Sequence, residues 1–227
     1  RNLGKQLSHQ AKWKKSVFDI YKQYSLNRKW DLELIKTAKK ANIHWLTTPY
    51  DFEAVKKLNK YLYLYKIGSG DITWIDFIEF IAKKKKPIFI ASGASSMDDI
   101  KKAINVMIKK NNKLCLMQCN TNYTFSKENF KYINLNTLNS FKNEFPGIIL
   151  GLSDHTSGHT TVLGAISLGA RVIEKHFTDN NKREGPDHSF SMTPKTWKEM
   201  VERSRELEMS LGDGIKRVSS SEKRNIK

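Results

Sequence analysis

Short apolar runs alternate with helical spacings along almost the whole chain, and each run closes on residues able to do chemistry. Strand candidates lie at 43–46, 63–67, 88–91, 114–118, 148–152 and 171–174. Helical patterns surround them at 31–41, 52–60, 75–84, 97–110, 135–144, 160–168 and 194–211. The last follows Thr193 as N-cap, with Pro194 in the first turn. Six such runs predict a parallel α/β fold, either an open doubly wound sheet or a (β/α)8 TIM barrel. Polar ends decide between them: Thr47-Thr48, Lys66 to Ser69, Ser92-Gly93, Asn120-Thr121, Ser153-Asp154-His155 and Lys175-His176. An open sheet gathers its site at one switch point, whereas a barrel draws on every strand end. The pattern therefore predicts a barrel, incomplete at about six strands, with the first two expected before Arg1. Residues 1–28 offer no strand; Trp13, Val17, Phe18 and Tyr21 read as a helical or loop excursion. Residues 219–227 are polar and unpatterned, so the barrel domain is expected to span 1–218 with a linker after it.

Charge narrows the function. The formal net charge is +17, from 40 Lys and Arg against 23 Asp and Glu. The excess is lysine in pairs and short runs such as 83–86, with no recognition helix or aromatic-studded sheet, which argues for a solvated surface and against nucleic acid. Such a field still attracts anionic substrates. No apolar run approaches a membrane span, and Arg1 opens no signal-peptide pattern. Cys115 and Cys119 are four apart in one strand candidate, too distant for a disulfide. Reduced thiols and a cytoplasmic location are expected.

The strongest constellation is Gly151-Leu152-Ser153-Asp154-His155-Thr156 with Glu174-Lys175-His176-Phe177-Thr178. Two histidines just past adjacent strands can meet at the barrel mouth, where neutral imidazoles suit a divalent metal and leave positions for water and substrate. Each histidine taken alone would read as a hydrogen-bonded structural residue. In Lys66-Ile67-Gly68-Ser69-Gly70-Asp71, a lysine followed by small residues suits a phosphate or carboxylate. Thr48, Ser69, Ser92, Thr121 and Ser153 place hydroxyls at five strand ends, a plausible phosphate cradle. The rival use of Lys66 or Lys175 is a Schiff base, as in barrel aldolases. Gly185-Pro186-Asp187-His188 lies in a polar loop where Asp187 either accepts from sugar hydroxyls or merely turns the chain. Gln118, Asn122 and Tyr123 are further candidates for a sugar pocket, and Trp30, Trp45, Trp74 and Trp197 for packing.

These runs, with Thr47-Thr48-Pro49-Tyr50, resemble the sialic acid synthase family, of the N-acetylneuraminate and legionaminate synthase type, over about residues 31–222. The resemblance implies a TIM barrel followed by a small antifreeze-like domain, and a homodimer formed through it. It implies condensation of phosphoenolpyruvate with N-acetylmannosamine or a related amino-sugar aldehyde, with release of phosphate. His155 and His176 would hold manganese, or alternatively magnesium or cobalt. Thr48, Lys66, Ser69, Thr121 and Ser153 would contact phosphoenolpyruvate, and Tyr123 and Asp187 the sugar; Asp71 stands where the family often has glutamate and would join His155, His176 and Lys66 as catalytic. Ala91 stands where some members have a phosphate-touching serine, so Ser92 either takes that contact or leaves it unmade. Gln118-Cys119-Asn120 replaces a more usual His-Cys-Thr. The family also uses an acidic residue and a lysine from its first two strands and an arginine from a partner subunit. Arg1 to Lys227 alone is therefore expected to be poorly active. The competing readings are a Schiff-base aldolase on Lys66, a non-enzymatic basic anion-binding or nucleic-acid-binding protein, and a decayed fragment.

Overall fold

The computed structural model describes residues 16–123 and 126–223, apart from the side chain of Val17. Helices α1 (Val17–Tyr24), α2 (Asp31–Lys40) and α3 (Phe52–Leu58) precede a regular alternation. It runs β1 (Tyr65–Ile67), α4 (Ile75–Ala82), β2 (Ile88–Ala91), α5 (Met97–Ile108), β3 (Leu114–Cys119), α6 (Thr137–Glu144), β4 (Ile149–Asp154), α7 (Thr160–Ser167), β5 (Val172–Lys175) and α8 (Pro194–Leu211). The start of α8 matches its sequence signal: the Thr193 side chain accepts from the Thr196 N–H, with Pro194 following. Of the excursion read at the N-terminus, Val17, Phe18 and Tyr21 fall in α1, while Trp13 lies outside the described residues.

All five strands are parallel and paired in chain order, β1-β2-β3-β4-β5. A doubly wound sheet reverses its order to cover both faces. Here one face alone receives the helices. Tyr65 and Ile67, Ile88 and Ile90, Leu114 and Leu116, and Leu150 and Leu152 share a single core with Val55, Phe77, Ile81, Ile104, Phe141 and Ala165 of the helices. A sheet so wound is an arc of a TIM barrel, and residues alternating with the core positions line its concave side. A smaller core of Val162, Ile166, Met192 and Met200 seats α8.

One expected strand does not form. Residues 43–46 make no ladder; Ile43 and Leu46 are exposed, and the segment meets the sheet through side chains. Trp45 packs on the core and the His44 ring lies 4.9 Å from that of Tyr63. β-branched and aromatic composition favours a pleated, half-buried surface but does not supply the partner edge that makes a strand. The described arc therefore has five strands rather than six.

Candidate active site

Alternation along the strands decides which side chains meet. With Tyr65 and Ile67 in the core, Lys66 turns to the concave face; by the same parity Cys119, Ser153 and Glu174 join it there. The Lys66 ammonium lies 3.3 Å from Glu174 Oε2, and the Ser153 hydroxyl donates to Glu174 Oε1 at 3.0 Å. β1 and β5, the two ends of the arc, are thus joined across its hollow. Ser69 heads a 3-10 turn after β1, and its Oγ accepts from the Gly93 N–H at 2.9 Å and bonds the Cys119 thiol. A Cβ on Gly93 would lie 2.5 Å from Thr121 Cγ2, 2.8 Å from Ser69 Oγ and 3.1 Å from Cys119 Sγ, so the missing side chain is what lets these three groups converge. Thr48 sits beside Gly68, its Cγ2 3.8 Å from where a Cβ would stand there.

One step further along, the two histidines meet. Their ring centroids are 5.1 Å apart. His155 is buried, and its Nδ1 pairs with the Asn120 carbonyl at 2.8 Å; Nδ1 therefore carries the proton and Nε2 keeps its lone pair. His176 Nδ1 lies 3.5 Å from Asp187 Oδ2. Burial, then the neighbouring His176, holds the His155 imidazole at about 4, against a smaller upward pull from the Asn120 carbonyl. Burial also lowers His176, opposed first by Asp187 and then by Glu174. Both rings are neutral donors near pH 7. Tyr123 covers them at 4.1 and 5.8 Å, and the buried Phe190 backs His176 at 5.0 Å.

The loop after β5 returns to hold this arrangement. Met192 N–H donates to the His176 carbonyl and Thr178 N–H to the Met192 carbonyl, both at 2.8 Å. The Thr178 hydroxyl bonds His188 Nδ1 at 2.7 Å, and the His188 ring packs where a Cβ on Gly185, at φ 150°, would stand. Asp187 is held between these contacts. Asp71, at the end of its 3-10 turn, has a buried Oδ2 without a partner; burial raises its carboxyl and Lys66 offsets part of the rise. An acceptor left so is suited to a ligand hydroxyl.

The donor set fits a divalent ion. Among the described residues no three or more His, Cys, Asp or Glu side chains form a metal-holding group; the imidazoles of His155 and His176 would be the protein donors to such an ion.

Three expectations at the mouth are corrected. Ser92 follows Ala91, whose neighbours Ile88 and Ile90 fix Ala91 on the concave face, so Ser92 points outward and donates to the Met117 carbonyl at 2.9 Å. Gln118 is likewise outward, donating to the Ile133 carbonyl at 2.8 Å. Both line a cavity of about 610 Å³ beside α5 and α6. Lys175 also points outward, giving its protons to Asp154 and to the Thr156 carbonyl, away from any Schiff-base position. Glu174 and Gly93, which the motifs contain without a role of their own, join the site. Glu174 is two residues before His176, as Ser153 is before His155, and that shared spacing was the available signal.

The NeuB family profile matches residues 2–216. N,N'-diacetyllegionaminic acid synthase of Campylobacter jejuni is 39% identical over 215 residues, 93% of this chain and 63% of that protein. Human N-acetylneuraminate-9-phosphate synthase is 33% identical over 187 residues, 82% of this chain and 51% of that one. The crystal structure of the N-acetylneuraminic acid (sialic acid) synthetase of Leptospira borgpetersenii, in complex with citrate, superposes with TM-score 0.84 at 25% identity, covering 96% of this chain and 76% of that one. The chain thus spans between about half and two thirds of the length of these curated relatives.

Proposed function

The chain belongs to the NeuB family of sialic acid synthases, and from that premise we propose that it condenses phosphoenolpyruvate with an amino-sugar aldehyde to give a nonulosonic acid and phosphate. The observation that carries the reading is the convergence, on one concave face, of the 5.1 Å imidazole pair with Lys66, Glu174 and Ser153. In this reading C3 of phosphoenolpyruvate attacks the aldehyde carbon, water adds at C2, and phosphate departs with its bridging oxygen. A divalent ion held by His155 and His176, manganese by preference, supplies Lewis-acid polarisation of the aldehyde oxygen when bound.

The chain's own residues do the rest. Lys66 and the hydroxyls of Ser69, Thr121, Ser153 and Thr48 hold the phosphate and carboxylate, and Glu174 keeps Lys66 and Ser153 in place. Asp71, with its unpartnered oxygen, and Asp187 accept from sugar hydroxyls. Tyr123 shields the imidazoles from bulk water. Among the described residues no helix is long and apolar enough to cross a membrane. The reading places the enzyme in the cytoplasm as a homodimer.

The test is phosphate release from phosphoenolpyruvate with a panel of amino-sugar aldehydes, with and without divalent ions. The reading expects release that requires both an aldehyde and an ion, and that is lost in His155→Ala and His176→Ala. Release that survives chelation in both variants would reject it.

A further inference from the structure

The two strands that carry the histidines end in two successive rungs. Ser153 faces Glu174 and Asp154 faces Lys175 in the backbone register, and His155 and His176 come next. The first rung is closed on the concave side by the Ser153–Glu174 bond. The second is closed on the convex side by an ion pair of 2.6 Å whose side chains are 1% and 0% exposed. The histidines lie beyond the last backbone rung, where ladder hydrogen bonds no longer fix one strand against the other. What bridges the strands there is Lys175. Its ammonium bonds the Asp154 carboxylate and, at 2.7 Å, the carbonyl of Thr156, so it grips the chain on both sides of His155.

The carboxylate is held from every side. Asp154 Oδ1 accepts from the Thr156 N–H at 3.0 Å and from the Thr156 hydroxyl at 2.9 Å, and Oδ2 accepts from the Thr161 hydroxyl of α7 at 2.6 Å. Burying an ion pair costs as much free energy as it returns, and an apolar pair of similar volume commonly stabilises at least as well. A packed apolar pair, however, has no direction. Here each partner is the residue just before a histidine, so the direction of the pair fixes where both imidazoles emerge on the opposite face.

We propose that Asp154 and Lys175 are positioning residues, a buried clamp on the convex face that sets the spacing of the His155 and His176 imidazoles for a divalent ion. This rests on the metal reading above. The assignment reaches the ion only through the two histidines; neither clamp residue faces the mouth.

The test measures Co²⁺ binding to the protein by calorimetry and visible absorption, beside thermal unfolding. The double variant Asp154→Asn/Lys175→Met removes both charges, so neither is left buried alone. The clamp predicts a folded protein that binds Co²⁺ about 10–100-fold more weakly, the range seen when outer partners of metal ligands are lost. Lys175→Arg keeps the charge but must fit a wider planar guanidinium into a site 1% exposed, so its affinity should fall between wild type and the double variant. Thr161→Val, nearly isosteric, removes one donor to Asp154 and should weaken binding measurably even if the double variant does not fold. Wild-type affinity in a folded double variant, or in Thr161→Val, overturns the clamp. Co²⁺ binding that is unchanged in His155→Ala would instead overturn the metal reading beneath it.

Discussion

Gly93→Ala is the substitution with the most sharply defined consequence. The added Cβ would stand 2.5 Å from Thr121 Cγ2, 2.8 Å from Ser69 Oγ and 3.1 Å from Cys119 Sγ, and ordinary carbon contacts begin near 3.5 Å. Thr121 must retreat by roughly 1 Å, and the Ser69 hydroxyl must leave its bond to the Gly93 N–H. Overpacking of this kind costs about 1–3 kcal/mol, and the lost bond about 1 kcal/mol more. For a chain of this size that is a fall in Tm of about 4–16 °C. Ser69 and Thr121 are both proposed phosphoenolpyruvate contacts, so KM for that substrate should rise along with the loss of stability. Thr121→Ser removes the methyl that the new Cβ meets first. The double variant should therefore regain part of both losses, while Thr121→Ser alone changes little. The assays are thermal unfolding and phosphate-release kinetics on the four proteins. An unchanged Tm and KM in Gly93→Ala, or a double variant worse than the sum of the singles, would refute the close-approach argument.

Glu174→Gln keeps an acceptor for Ser153 but removes the negative charge beside Lys66; inorganic phosphate should bind about fivefold more tightly while turnover falls, and weaker phosphate binding in calorimetry would contradict this. The His155 imidazole, held at about 4 when folded against an ordinary 6.5, stays neutral where the unfolded chain takes up a proton. Its contribution to stability is complete above pH 6.5 and is lost as pH falls toward 4, by about 3 kcal/mol at most. Urea unfolding at pH 7 and 5 should show that loss in wild type and a smaller one in His155→Ala. Burial pushes the Cys115 thiol up to about 12 and raises Cys119 as well, so iodoacetamide at pH 8 should label neither thiol in the native protein and both in urea. Rapid native labelling, read by mass spectrometry, would contradict their burial.

Much of this was legible in the chain. The alternation of apolar runs and helical spacings gave five of six strands nearly to the residue, and α8 to both ends, because Thr193 and Pro194 mark a helix start unambiguously. The missing strand at 43–46 had the right composition, but hydrogen bonding to a neighbouring edge is not written in a single segment. The histidine pair was readable because two motifs place His155 and His176 at matched positions after adjacent strands. Strand-end hydroxyls are not equivalent, and Ser92 shares the outward parity of Ile88 and Ile90. Counting parity from Ile88 and Ile90 would have turned it outward and left Ala91 at the mouth. The same count would have drawn Glu174 into the site. Gly93 lies beyond such reasoning, since its role rests on three groups from two other strand ends, Ser69 after β1 and Cys119 and Thr121 at the end of β3.

The central claim is that two imidazoles at the C-terminal mouth of the arc hold one divalent ion beside an anion site. Crystals of the protein grown with Mn²⁺ and phosphoenolpyruvate, measured for anomalous scattering at the manganese edge, test it most directly. The account predicts one strong peak within coordinating distance of both His155 and His176, with the phosphate of phosphoenolpyruvate against Lys66 and Ser69. A peak elsewhere, or none when both ligands are saturating, would contradict it.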